Sequence, residues 1–222
     1  MLPPVLDPQL IVGVGLNTKS HFEETAELMK RTPGDYPRYP RLFTRTSDSH
    51  VGHGTPIIIP GTSHQLDYEG EIAVVIGKEG RNISEQDALS HIGGYACYNE
   101  GSVRDFQQHS NQVTAGKNFV ASGSFGPWIV TSDEVPDPSR LVLETRINGE
   151  LRQKLTMDDL IFSFSQLIAY ISKIFHLRPG DVILTGSPAG IGALTKRWLR
   201  PGDRVDVTVS TIGTLSNPVA AE

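Results

Sequence analysis

The sequence predicts an α+β protein in which strands outnumber helices. Three observations carry that expectation. The 22 glycines and 15 prolines in 222 residues interrupt the chain too often for long helices. Most apolar stretches are short runs bounded by Gly, Pro or Asn, such as Ile57 to Ile59 and Ile72 to Ile76, which is the pattern of buried strands. The clearest helical period lies in Ser165 to Phe175, where Ile168, Ile171 and Phe175 recur with Leu167 and Ile174 beside them. That stripe reads as core.

In chain order, Leu10 to Val14 reads as the first buried strand. Its Gly13-Val14-Gly15 is no dinucleotide fingerprint, because the third glycine of GxGxxG would fall at Thr18. Ser20 is placed to cap a short helix, with Glu23 at its N3 position. His21 and Glu24, three apart, are neighbours on such a helix, either as a functional pair or as an ordinary helix start. The aperiodic stretch Pro33 to Pro40 is a loop. Phe43 to Gly54 holds His50 and His53; with no third nitrogen or thiolate ligand nearby, solvated histidines are expected there rather than a metal site. Leu66 to Gly77 reads as a strand that ends in the core. Ser84 is placed to cap a helix over Glu85 to Ile92, with Asp87 at N3 and Gly93-Gly94 as its stop.

Tyr95 to Tyr98 follows as a strand, and SVRDFQQHSNQ as a helical turn or loop. Gly116 to Phe119 and Gly123 to Pro127 read as loops, and Trp128 to Val130 as a strand. Leu141 to Ile147 and Leu151 to Leu155 are strands joined through Asn148-Gly149, a type I′ hairpin signal. Pro-Gly-Asp turns at Pro179 and Pro201 introduce strands Val182 to Thr185 and Val205 to Val209. One domain over 1–222 is expected, with a small N-terminal lobe, 1–61, on a strand-rich, metal-binding body, 62–222.

Bulk chemistry narrows the function. A net charge of −5, with no basic cluster, argues against a nucleic-acid partner. Cys97 is the single cysteine, so there is no intrachain disulfide and no CxxC pair. No apolar run is long enough to cross a bilayer, and MLPPVLDPQLIVGVG lacks the pattern of a secretory leader. A cytoplasmic protein without membrane partners is the expectation.

The chemistry centres on LDYEGEIAVVIG, Leu66 to Gly77. Strand alternation points Glu69 and Glu71 the same way, about 7 Å apart along the backbone. Two carboxylates that close repel unless a cation sits between them or one holds a proton. A hard divalent cation answers this, and an exposed strand end with two ordinary glutamates is the alternative. Glu100, at the end of the Tyr95 to Tyr98 strand, would join them if the two strands were neighbours. Three carboxylates completed by waters describe a Mg²⁺ or Mn²⁺ site with positions left for a chelating substrate.

Five segments together give a resemblance. DYEGE at Asp67 to Glu71, GYACYNEGSVRDFQ at Gly94 to Gln107, GKNF at Gly116 to Phe119, FGPW at Phe125 to Trp128 and LRPGDVILTGSPAGIG at Leu177 to Gly192 resemble the fumarylacetoacetate hydrolase family, from about Ile11 to Val219. The resemblance implies a mixed β-sandwich or roll with few short helices, assembled as a homodimer. It implies a divalent metal held by Glu69, Glu71 and Glu100, with Mg²⁺ or Mn²⁺ as the ion and Ca²⁺ as the alternative. It places Lys117, Gln107 and Arg45 beside the substrate and Ser187 against its carboxylate end. His21 and Glu24 look like the pair that handles water, and Arg104 and Asp105 like its supporting RD dipeptide. The family's third ligand is usually aspartate; Glu100 is one methylene longer, which flexible Ca²⁺ coordination tolerates better than Mg²⁺. Arg45 stands where a lysine is common, and Ser187 keeps the hydroxyl of the commoner threonine. The activity implied is cleavage of a C–C bond in a 2,4-dioxo acid, an acylpyruvate such as fumarylpyruvate, maleylpyruvate or acetylpyruvate, to pyruvate and a carboxylic acid. Oxaloacetate decarboxylation, oxo-acid isomerisation or lyase chemistry, and non-catalytic binding of an oxo acid are the alternatives.

Overall fold

Short apolar runs pair into two sheets in the computed structural model, which describes residues 1–222. Its strands are β1 Ile11–Gly15, β2 Arg41–Arg45, β3 His50–Val51, β4 Ile57–Ile59, β5 Leu66–Asp67, β6 Gly70–Ile76 and β7 Ile92–Asn99. They continue as β8 Ser102–Val103, β9 Gly123–Thr131, β10 Val142–Ile147, β11 Glu150–Thr156, β12 Val182–Leu184, β13 Arg204–Val209 and β14 Gly213–Ala221. The helices are short: α1 Lys19–Ala26, α2 Arg104–Gln107, α3 Thr114–Lys117, α4 Phe164–Ile174 and α5 Gly192–Thr195. The strand-rich α+β class read from the sequence is the one observed.

A mixed seven-stranded sheet runs β2-β1-β12-β6-β7-β9-β3, and a five-stranded sheet runs β11-β10-β13-β14-β4. The space between them holds the main core. Ile72, Val74 and Ile76 from β6 meet Leu143, Val205, Val207 and Leu215 from the second sheet, and Leu167, Ile168 and Ile171 of α4 close one side. The alternate residues of β6, Ala73 and Val75, join Ala96, Tyr98, Phe125 and Leu184 in a second cluster on the other face. The central strand is therefore buried on both faces, which is why its sequence is continuously apolar. Residues 1–61 are woven into both sheets: β1, β2 and β3 belong to the larger and β4 pairs in parallel with β14. They do not stand apart as a lobe, because β1 and β4 are hydrogen-bonded in parallel to β12 and β14 near the C-terminal end of the chain. No helix is long and apolar enough to cross a membrane.

Several local expectations need correction. Thr18, not Ser20, is the N-cap of α1 and accepts the His21 N–H; Ser20 lies inside the helix and donates to Asp159 at 2.5 Å. Ser84 Oγ does accept the Asp87 N–H, as a cap would, and donates to the Asp87 carboxylate, but only a 3₁₀ turn, Ala88–His91, follows. The chain is needed from Ile92 onward in β7, where Ile92 pairs with Ile76. Gly93 thus stops no helix; it lies against Gly77, where a Cβ would meet the Gly77 Cα at 2.9 Å. Gly123 to Pro127 belongs to β9 and not to a loop. Its register against β7 shifts between Tyr95 and Cys97, and that bulge accommodates Pro127, which has no N–H for the ladder. His50 is buried rather than solvated, beside the Tyr98 hydroxyl at 3.3 Å, and His53 Nδ1 accepts the Ser216 N–H. The strands β2, β3, β8 and β14 were not anticipated.

Other readings match closely. Asn148 and Gly149 take φ of 52° and 83°, as a type I′ turn requires. The helix expected over Ser165 to Phe175 is α4, Phe164–Ile174, and Ser163 before it forms a full capping box with Gln166. The two Pro-Gly-Asp turns are built alike: Asp181 and Asp203 each donate a backbone N–H to the carbonyl three residues back, and each carboxylate accepts that residue's N–H.

Candidate active site

The register of β6 on β7 assembles the acidic cluster. Gly70 pairs with Asn99, so the chain just outside each strand brings Glu69 beside Glu100, and the Glu100 N–H donates to the Glu69 carbonyl at 2.7 Å. Alternation then puts Glu71 on the same face, opposite Tyr98. Ligand oxygens of Glu69, Glu71 and Glu100 lie within 4.8 Å of one another, and all three residues are buried. The antiparallel pair β5–β8, with Asp67 opposite Ser102, supports the cluster from below, with Ser102 Oγ donating to Glu69 at 2.9 Å.

Cations come from the two short helices that follow β8. Arg104 on α2 spans Asp67 and Glu69, with bonds of 2.9 Å to each. Lys117 ends α3, and its Nζ bridges Glu69 and Glu100, at 2.7 Å from the latter. The bridge depends on a close helix contact: a Cβ at Gly116 would meet the Gln107 backbone N at 2.7 Å. Asp67 also accepts the N–H groups of Gly192 and Ala193, fixing the segment that follows Ser187.

The three glutamates are not equivalent. Burial opposes ionising Glu69, but Arg104 and Lys117 outweigh it and hold this carboxyl well below the usual range. Burial, reinforced by the charges of Glu100 and Glu69, pushes Glu71 far above it. Its defined partner is one N–H, from Gly186 at 2.8 Å. Glu100 Oε1 is buried without a hydrogen bond, with Arg45 Nη1 3.8 Å away, while its Oε2 takes the Lys117 bond. A buried carboxylate oxygen without a donor and a carboxyl whose ionisation is opposed by burial and by two like charges are the marks of a site short of positive charge. An all-oxygen donor set of this kind fits a hard divalent cation.

The cluster forms the floor of a cavity of about 460 Å³. His21, Lys117, Gln107 and Ser187 line it. His21 projects from the first turn of α1, and its Nδ1 is 2.7 Å from Glu24 Oε1. Glu24 lies behind the ring, and its other oxygen accepts the Gly190 N–H at 2.9 Å. The helix is tied to the floor through Thr18, whose hydroxyl donates to the Ser187 carbonyl, and Asn17, whose amide donates to the Thr185 carbonyl. Gly186 between them has φ of +98°, and a Cβ there would strike Asn17 at 2.7 Å. Ser187 Oγ accepts from Gln153 at 2.7 Å, and Gln107 Oε1 accepts from Arg104 at 2.9 Å.

One candidate falls elsewhere. Arg45 was expected beside the substrate, but it is buried behind Glu100, bonded to Ser49, Ser122 and the Gly101 carbonyl, and does not line the cavity. Its β2 residue faces the sheet interior, so its charge reaches the cavity only through Glu100. Sequence reasoning missed Asp67, Ser102, Gln153 and the Gly186 N–H as supports. A glutamine and a backbone N–H so far along the chain carry no local signal. Asp67 did sit in the DYEGE segment, two residues before Glu69.

Comparison with known proteins agrees with this architecture. The profile described as fumarylacetoacetate (FAA) hydrolase C-terminal matches residues 10–220. Oxaloacetate tautomerase YisK of Bacillus subtilis is 40% identical over 216 residues, covering 94% of this chain and 69% of its own length. The structure of 5-carboxymethyl-2-hydroxymuconate delta-isomerase from Mycobacterium smegmatis superposes with a TM-score of 0.86 at 35% identity, over 100% of this chain and 82% of that one. The structure of fumarylpyruvate hydrolase from Pseudomonas aeruginosa, in complex with Mn²⁺ and pyruvate, superposes with a TM-score of 0.86 at 29% identity, over 97% of this chain and 91% of that one.

Proposed function

The chain belongs to the fumarylacetoacetate hydrolase family, and from that premise we propose that it is a metal-dependent enzyme that moves a proton at the carbon beside the 2-oxo group of an oxo acid, as an oxaloacetate tautomerase does. One observation carries the reading: the His21–Glu24 pair and the Glu69, Glu71 and Glu100 cluster open onto a single cavity. The 40% identical tautomerase supports the choice of reaction.

A divalent ion held by those three glutamates, Mg²⁺ or Mn²⁺ or the more adaptable Ca²⁺, supplies when bound a Lewis acid that acidifies the C–H beside the oxo group. The chain's own groups do the rest. Glu24 accepts the Nδ1–H of His21, which leaves Nε2 as the nitrogen that takes and returns the proton. Lys117 and Arg104 face the negative charge that grows on the substrate oxygens as the proton leaves. Arg104 holds the Gln107 side-chain oxygen, so the Gln107 amide N–H₂ and the Ser187 hydroxyl remain to orient the substrate carboxylate. Val14, Phe43 and Ile191 give the cavity an apolar wall that limits water.

Hydrolytic C–C cleavage of a 2,4-dioxo acid is the second reading. The cavity has room for an acyl group beyond a four-carbon acid, and His21 could as well take its proton from water. Oxaloacetate decarboxylation would use the same groups. Parallel assays with Mn²⁺ separate them: decay of the enol absorbance of oxaloacetate, and pyruvate release from oxaloacetate and from acetylpyruvate. Faster enol decay without pyruvate release is the expected result. Enol decay at the buffer rate with acetylpyruvate cleaved would replace the first reading by the second. Inertness toward all three would leave an oxo-acid-binding protein.

A further inference from the structure

Strand β11 carries a polar residue on its inward face. Alternation buries Gln153 and Leu155 and leaves Lys154 and Thr156 exposed; Leu155 joins the main core, whereas Gln153 is a buried amide, 1% exposed. An amide at a position that packed sheets usually fill with an apolar side chain must find partners. Gln153 finds them on β6 and on the segment after β12. Its Oε1 accepts the Gly70 N–H at 2.9 Å, and its Nε2 donates to Ser187 Oγ at 2.7 Å and to the Pro188 carbonyl at 2.9 Å. The approach depends on Gly70: Gln153 stands opposite Thr145 of β10, and a Cβ at Gly70 would strike the Thr145 hydroxyl.

These partners fix the direction of each hydrogen bond. A backbone N–H can only donate, so the amide oxygen faces Gly70; a carbonyl can only accept, so the amide nitrogen faces Pro188. Both N–H bonds of Nε2 are then used, one of them on Ser187 Oγ. The Ser187 hydroxyl is thereby an acceptor toward Gln153, and its own proton must point elsewhere. Within the chain its one acceptor in reach is the Pro188 carbonyl, at 3.4 Å, which is longer than a normal O–H···O bond and already takes the Gln153 amide. The side left open is the cavity, which Ser187 lines.

We infer that Gln153, which does not itself line the cavity, is a positioning residue that turns the Ser187 hydroxyl into a fixed donor aimed at the substrate carboxylate. This role deepens the oxo-acid reading of the cavity and rests on it. A hydroxyl free to rotate offers its proton in the right direction only part of the time; one already held by Gln153 meets that entropic cost before the substrate arrives. The same amide holds Gly70, which lies between Glu69 and Glu71. One side chain of the second sheet therefore sets the spacing between the carboxylate donor and the acidic floor.

The test is a double-mutant cycle on pyruvate binding in the presence of Mn²⁺, read as calorimetric Kd. Gln153→Met keeps the length of the side chain and removes its donor; Ser187→Ala removes the hydroxyl, and Ser187→Thr keeps one. In the wild type and in Ser187→Thr, adding Gln153→Met is expected to weaken pyruvate about tenfold. In Ser187→Ala the same change is expected to weaken it less than about twofold, because no hydroxyl remains to be aimed. Should Gln153→Met fail to fold, Gln153→Glu replaces it. Its carboxylate keeps an acceptor for Gly70 but takes the Ser187 proton, so the loss it causes should be about tenfold greater in Ser187→Thr than in Ser187→Ala. An equal loss with and without the hydroxyl shows a merely structural role and overturns the proposal, as does unchanged affinity in Gln153→Met; both leave the oxo-acid reading standing. Failure of the wild type to bind pyruvate overturns the oxo-acid reading itself, and the positioning role with it.

Discussion

The floor and the rim of the cavity are built on opposite terms. The floor rests on β6, β7 and the β5–β8 pair; Glu69, Glu71 and Glu100 are at most 4% exposed and their neighbours are almost all fixed by hydrogen bonds. The rim is α1, the loop after it and Arg41, where Leu28 is 71% and Met29 47% exposed. A strand pair sets the positions of its side chains through the ladder, whereas a short helix tied down at one end sets them more loosely. The division teaches where each task belongs: charge that must stay put is on the sheet, and groups that meet a substrate entering from solvent are on the helix and loop.

The largest expected effects separate the floor from everything else. Glu69→Gln and Glu71→Gln should each lower kcat/KM about 10³-fold or more, because each removes a ligand of the proposed ion. Their metal-free stabilities should differ. Glu69 neutralises Arg104 and Lys117, so Glu69→Gln leaves buried cations short of a partner and costs about 3 kcal/mol or more. Glu71 has no cationic partner within ion-pair distance, so an uncharged isostere there should change the EDTA-treated protein by less than about 1 kcal/mol. Denaturant melts of the two variants in EDTA would break the comparison if Glu71→Gln proved the less stable.

Next come the rim residues. His21→Ala should lower kcat by about 10²–10⁴ while Mn²⁺ still raises the Tm, since in the proposed reaction His21 moves a proton and does not hold the ion. Glu24→Gln should do less, about tenfold, because it only orients the ring. Loss of the Mn²⁺ response in His21→Ala would show that rim and floor are not separable.

The smallest effect concerns the packing behind the floor. Burial, aided by the charge of Arg45, lowers the His50 pKa to about 4 from an unfolded value of 6.5. The unfolded chain therefore binds a proton that the folded chain refuses as the pH falls from 6.5 to 4. That stability is fully present above 6.5 and lost across the window, by about 3 kcal/mol at most. His50→Gln should flatten the fall of Tm between pH 7 and 4, and an unchanged slope would remove His50 from the account.

How far the sequence showed this in advance follows the same division. The strand pair and its carboxylates were legible because a period of two and a run of apolar residues are local signals. The hairpin at Asn148-Gly149 was legible for the same reason, whereas the capping box at Ser163 was not read from the sequence. β14 was obscured by its small and polar residues and by Pro218, which lower strand propensity although the flanking strands enforce it. The helix expected after Ser84 lost to β7, a tertiary demand that a local cap cannot announce. Arg45 was assigned by family position, but only its neighbours Ser49, Gly101 and Ser122 reveal that it faces inward. Gln153 was legible as part of a strand, but its bonds to Gly70 and Ser187 became visible only in three dimensions.

The central claim is that the three glutamates gather around a divalent ion. Calorimetric titration of Mn²⁺ into the wild type and Glu71→Gln tests it most directly. One ion per chain in the wild type, and no measurable binding in the variant, is the result expected. Absence of binding in the wild type, or equal stoichiometry and affinity in the variant, would contradict it.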